Sequence, residues 1–174
     1  PKVTSSGMFL RWRAIAVLVL SGACSRAASD GPTSALLITL DTTRADALQE
    51  ALTPNLEHFA ADAIRFERAY TVTPLTLPAH ASMMSGLYPV RHGLRNNGAR
   101  RLSSEAETLA ERAQEVGFQT AAFISAAVLD GAFGLNQGFE TYEVARDWTS
   151  LQETGPRALA WLDANAAESD PFLL

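Results

Sequence analysis

The sequence predicts an α/β protein, a three-layer αβα sandwich built on a mostly parallel sheet. Two observations point there. Short continuous apolar runs at residues 35–40, 118–125 and 171–174 alternate with stretches of helical spacing. The first two runs lack the in–out alternation of a half-solvated strand, as befits strands with helices on both faces. Composition agrees: 47% hydrophobic and 19% charged residues over 174 positions describe one globular domain.

The elements follow in order. Arg11 and Arg13 precede an apolar stretch at 14–20, then Ser21, Gly22, Ala23 and Cys24. Residues 14–23 would rise only about 15 Å as a helix, half of a bilayer core. That reads as a signal peptide over 1–23, and not as a membrane span. Small residues before the sole cysteine suit lipidation of Cys24; ordinary cleavage near Ala23 or Ala28 is the alternative. Either way the chain is read as exported to a bacterial periplasm or cell envelope, with lipid anchoring favoured. Met8 reads as the true start. One cysteine leaves no internal disulfide.

Residues 24–34, rich in Ser, Ala, Gly and Pro, read as a tether, and 35–174 as the folded domain that follows. Residues 35–40 are expected to be a strand buried on both faces, ending at Asp41. Pro54 suits the first turn of a helix over 54–63. Imperfect alternation suggests a strand over 64–70. A helix over 78–85 should stop at Gly86. Ser104 and Glu107 read as the capping box of a helix running to Val116, and 118–125 as a second buried strand. Residues 156–167 carry an amphipathic helix, and 171–174 open a further strand. Starting at Pro1 and stopping inside an apolar run, the chain reads as a fragment whose open sheet edge should limit its solubility.

Two segments carry chemistry. In open α/β sheets ligands gather beyond the carboxyl ends of the strands, where Asp41 stands. Its other reading is a turn acid. The second segment is Thr76-Leu77-Pro78-Ala79-His80-Ala81-Ser82, followed by Gly86-Leu87-Tyr88-Pro89 and His92-Gly93. It offers a hydroxyl where a helix begins. A divalent metal could join carboxylate and hydroxyl in one site and lower the hydroxyl pKa.

Both segments resemble the N-terminal half of the sulfatase family, within the alkaline phosphatase superfamily. Residues 37–46 are similar to that family's first metal-binding strand and loop, 76–93 to its nucleophile loop and helix, and 108–123 to its next helix and strand. The resemblance implies a hydrolase of sulfuric or phosphoric esters. Three departures shape the expectation. Thr42 replaces a second acid, so zinc or manganese is favoured over calcium. Thr76 stands where the family oxidises a cysteine or serine, so no formylglycine is expected. Ser125 stands where the family has a lysine, which argues against ordinary aryl sulfate chemistry.

The Thr-x-Pro-x-His-x-Ser run is similar instead to the nucleotide pyrophosphatase/phosphodiesterase branch, which implies Thr76 as a metal-activated nucleophile. That branch also implies Asn97, 21 positions on, as a donor to substrate oxygens; a turn residue is the other reading. His80 is expected either to touch substrate or to pin the loop. His92 is expected to organise its turn, His58 to lie on the surface, and Arg44 to pair with Asp46. Phosphodiester or phosphonate esters fit best, as small molecules, glycans or lipids. A phosphoryl transferase acting on lipid or glycan and a non-catalytic binding relative are the rivals.

Net charge is −5, and −8 without the three cations of the leader, so no nucleic-acid polymer is expected as partner. Arg91, Arg95, Arg100 and Arg101 form a local positive excess, suited to an anionic substrate or to solubility.

Overall fold

A computed structural model describes residues 33–44, 46, 53–145, 151–166 and 170–174. The predicted leader, nearly all of the tether and Cys24 lie outside the described residues. Among the described residues, no helix is long and apolar enough to cross a membrane.

The α/β architecture is present. In chain order it comprises α1 (Pro54–Ala61), α2 (Thr76–Ser85), α3 (Pro89–His92), α4 (Leu109–Glu115), β1 (Gln119–Ile124), β2 (Thr141–Val144), α5 (Leu151–Asn165) and β3 (Phe172–Leu173). Two 3-10 turns, Ala127–Leu129 and Gly131–Phe133, connect β1 to β2. The sheet has the order β2-β1-β3, and every pair is parallel. Ala35 bridges Leu173 in parallel on the outer side of β3, with Leu37 N–H donating to the Leu174 carbonyl at 2.7 Å.

Register separates the layers, because successive strand residues point to opposite faces. On one face Ile124 and Tyr142 pack against a core of Leu77, Ala81, Leu94, Leu102, Ala106, Leu129 and Leu135, so α2 lies there. On the other face α5 is fixed three times. Thr154 bonds Ser125 at 2.8 Å, Arg157 reaches Glu143 at 3.1 Å, and Trp161 meets Phe172 edge to face at 5.7 Å. The chain therefore carries helices on both sides of a parallel sheet, with α5 crossing over β1 on its way from β2 to β3.

Helix ends follow local chemistry. Pro54 opens α1 as expected, and α2 stops where Gly86 takes φ 67° and donates its N–H to Ser82 at 2.9 Å. The capping box belongs to Thr108 and Glu111, four residues beyond the predicted one. Thr108 Oγ1 accepts from Glu111 N at 3.1 Å, and Glu111 returns the bond to Thr108 N at 2.7 Å. Tertiary context decides this, since the buried Thr108 hydroxyl also donates to the Gln137 carbonyl. Gly138 lies so close to the same helix start that a Cβ there would sit 2.1 Å from Glu111 N.

Three further expectations are corrected. The run 35–40 does pair with β3, but it is not buried: Leu36, Leu37, Ile38 and Leu40 are all at least 49% exposed. Among the described residues its strand partner is β3, and its apolar side chains stay largely open to water. Residues 64–70 form no strand. None of their backbone groups joins a ladder among the described residues, and Ile64, Phe66 and Tyr70 are exposed. Helix α5 begins five residues before Pro156, because Thr154 and Glu153 are tied down by Ser125 and Arg157. Strand β2, which alternates Tyr142 and Val144, is an addition.

Candidate functional site

The site is assembled at the first turn of α2. Leu77, Pro78 and Ala81 are buried beneath it, so the turn is seated on the core. The first N–H groups of a helix lack intrahelical partners, and Leu75 offers no side-chain cap. Asn97, from 20 residues away, supplies one: its Oδ1 accepts from Leu77 N at 3.0 Å. Pro78 has no N–H to satisfy. Because a backbone N–H can bond only the carbonyl end of the amide, the Asn97 NH₂ is turned away from Leu77.

Thr76 is the first residue of α2, and Asp41 meets it there. The Thr76 hydroxyl lies 3.1 Å from both oxygens of the Asp41 carboxylate, across 35 residues of sequence. Pairing with β3 explains how Asp41 arrives. Ala35 aligns with Leu173, whose partner Thr120 stands on the α2 face, so alternation carries Leu37, Thr39 and Asp41 to that face. Thr39 indeed contacts α2: its hydroxyl is 3.1 Å from His80 Nε2. His80 Nδ1 in turn lies 2.8 Å from the Thr76 carbonyl.

After Asp41 the chain turns sharply. Thr42 has φ 56°, and Thr43 N reaches back to the Leu40 carbonyl at 3.4 Å. Arg44 and Asp46 pair by two bonds in this loop, and the carboxylate holds the guanidinium pKa above its ordinary value.

Other singled-out residues fall around this centre. His92 is 7% exposed and organises its turn, as expected. Leu94 N donates to its Nδ1 at 3.1 Å, so Nε2 carries the proton and donates to Ser82 Oγ at 2.9 Å. Burial pushes the His92 pKa below its ordinary value near 6.5. Arg95 and Arg100, with Gly93, Asn96 and Ala99, line an open cavity of about 380 Å³ beside Asn97 in sequence. His58 is on the surface, and Ser125 faces Thr154. Thr39 was missed in the sequence, although its position two residues before Asp41 already assigns it to the same strand face.

Residues 35–163 match the profile of the family described as type I phosphodiesterase / nucleotide pyrophosphatase, nearly three quarters of the chain. The chain belongs to that family. Among curated relatives, an ulvan-active sulfatase of Formosa agariphila is 38% identical over 69 residues, covering 40% of this chain and 13% of the relative. A bis(5'-adenosyl)-triphosphatase of Bos taurus is 32% identical over 77 residues, covering 44% and 17%.

The phosphonate monoester hydrolase of Agrobacterium radiobacter has the same fold, with a TM-score of 0.57 at 24% identity, over 77% of this chain and 30% of that one. So does a protein solved with its substrate D-glucosamine-2-N,6-O-disulfate, with a TM-score of 0.59 at 22% identity over 70% and 28%. The chain thus spans under a third of these relatives' lengths. Phosphodiesterase and sulfatase relatives together support the superfamily resemblance.

Proposed function

We propose that this member of the type I phosphodiesterase family carries the nucleophile portion of a metal-dependent hydrolase of phosphoric or sulfuric esters, with Thr76 as nucleophile. The observation that carries the reading is the contact of the Thr76 hydroxyl with both Asp41 oxygens at the start of a helix.

Among the described residues no cluster of three or more His, Cys, Asp or Glu side chains forms a complete metal shell. Asp41 and Thr76 fit as two oxygen ligands of one, because a carboxylate and a hydroxyl converge on a shared point. When bound there, a divalent cation would supply the positive charge that favours loss of the Thr76 proton. Thr42 leaves this shell one carboxylate short of the sulfatase pattern, so zinc or manganese is favoured over calcium.

The remaining work belongs to the chain's own groups. Asp41 orients Thr76 Oγ1 by accepting its hydrogen bond. Partial positive charge at the α2 N-terminus favours negative charge developing there. Oγ1 passes its proton to solvent and attacks the phosphorus, the bond to the ester oxygen breaks, and the departing alcohol leaves with a proton from solvent. Water then releases the phosphoryl group from Thr76 in a second displacement. The Asn97 NH₂, directed away from Leu77, donates to non-bridging oxygens as charge accumulates on them. Arg95 and Arg100 make the cavity they line hospitable to an anion.

Threonine in place of an oxidisable residue favours phosphodiester or phosphonate esters, without formylglycine. The substrate would be a small-molecule, glycan or lipid ester, met outside the cytoplasm by an exported protein held through a lipid on Cys24. In the full-length protein, Thr76→Ala should lower turnover of bis(p-nitrophenyl) phosphate by more than about 1,000-fold while the melting temperature holds. Undiminished turnover would remove Thr76 from the mechanism.

A further inference from the structure

Thr39 and His80 lie outside the reacting groups, yet together they bridge the two elements that must meet. His80 is four residues after Thr76, one helical turn on, and side chains on a helix lean toward its N-terminus. The ring therefore lies over the Thr76 peptide. Its Nδ1–H donates to the Thr76 carbonyl at 2.8 Å, a second bond to an oxygen with two lone pairs. That assigns the proton of the neutral ring to Nδ1 and leaves Nε2 to accept the Thr39 hydroxyl at 3.1 Å. Thr39 stands two residues before Asp41 on the same face of the extended run.

The imidazole thus spans from the peptide of the hydroxyl-bearing residue to the strand bearing its carboxylate partner. The need for such a tie is visible in the packing. Thr76 precedes the buried Leu77 and Pro78, whereas the run leading to Asp41 is at least half exposed at Leu36, Ile38 and Leu40, so apolar burial does little to set its height against α2.

We propose that His80 and Thr39 form a positioning pair that fixes the Thr76 peptide against the Asp41 strand and so holds Oγ1 in line for attack. This rests on the nucleophile role given to Thr76. Misplacement of a reacting atom by about 1 Å is enough for a rate loss near 100-fold, whereas binding of the ester relies on other groups. The pair should therefore act on kcat and leave KM nearly unchanged.

The test uses the full-length protein with bis(p-nitrophenyl) phosphate as probe. Thr39→Val removes the strand-side partner. His80→Asn keeps an amide donor short enough for the Thr76 carbonyl but loses the reach to Thr39. Each should lower kcat by about 10-fold with KM within about twofold. Because both break the same contact, the double variant should be no slower than the slower single one. Thr39→Ser, which retains the hydroxyl, should restore most of the rate. If His80→Asn fails to fold by circular dichroism, the contrast between Thr39→Val and Thr39→Ser decides alone.

Unchanged kcat in Thr39→Val, multiplicative losses in the double variant, or a loss confined to KM would overturn the proposal. Thr76→Ala keeps the two readings apart. If it retains turnover, the nucleophile assignment fails; if it is inactive while Thr39→Val and His80→Asn match the parent, only the positioning pair fails.

Discussion

Leu77, Ala81, Leu94 and Leu102, around the helix that carries Thr76, are 0–1% exposed, whereas Ile38, on the run that delivers Asp41, is 70% exposed. Both regions belong to one site. The first is held by a close-packed core, in which every methylene is felt. The second is held by a few backbone bonds to β3 and by side-chain contacts with α2. The site therefore combines a fixed hydroxyl, the proposed nucleophile, with a partner whose placement depends on polar contacts.

Asp41→Asn should have the largest effect on the exposed side. It removes the only described carboxylate in contact with Thr76, so metal content by elemental analysis should fall to background. Unchanged stoichiometry would make Asp41 a turn residue and dissolve the contrast. Substitutions to alanine sharpen it in energetic terms. Leu77→Ala should destabilise the chain by about 2–5 kcal/mol in urea unfolding, because a closed core cannot collapse around the cavity. Ile38→Ala should cost under about 1 kcal/mol, since most of its side chain already meets water. Equal losses would show that the two regions are packed alike.

The smallest effect tests the packed side by pH. The His92 pKa is lowered in the fold, so the unfolded chain binds the proton more readily. Its contribution to stability is present above pH ~6.5 and is lost as pH falls toward the lowered folded value. The melting temperature should decline from pH 7 to 5, and His92→Gln should flatten that segment. An unchanged slope would mean that the buried ring is not what responds.

The sequence is informative where chemistry is local. Gly86 ends α2, Pro54 starts α1, and the apolar block at 118–125 becomes β1 because each signal acts within a turn or a few strand residues. The meeting of Asp41 with Thr76 could be posed from the motif, yet its geometry needed β3 to set the face of the leading strand. Where distant partners decide, the sequence is silent. Thr108 displaces Ser104 as cap because Gln137 anchors its hydroxyl, and the alternation at 64–70 lacks a ladder to join. Asn97 could be singled out from the motif as a candidate donor or turn residue, but its service as the missing cap of α2 depends on a loop returning from 20 residues away.

Thr42 gives the corner after Asp41 a mechanical character. A β-branched residue held at φ 56° stores strain on the order of 1–3 kcal/mol, which the surrounding contacts must restrain. Relaxing that dihedral would rotate the peptide shared with Asp41 and swing the carboxylate off its target. Relief of the corner and aim of the acid thus pull against each other, and Asp41 is held under tension, like a latch kept shut by the groups it touches.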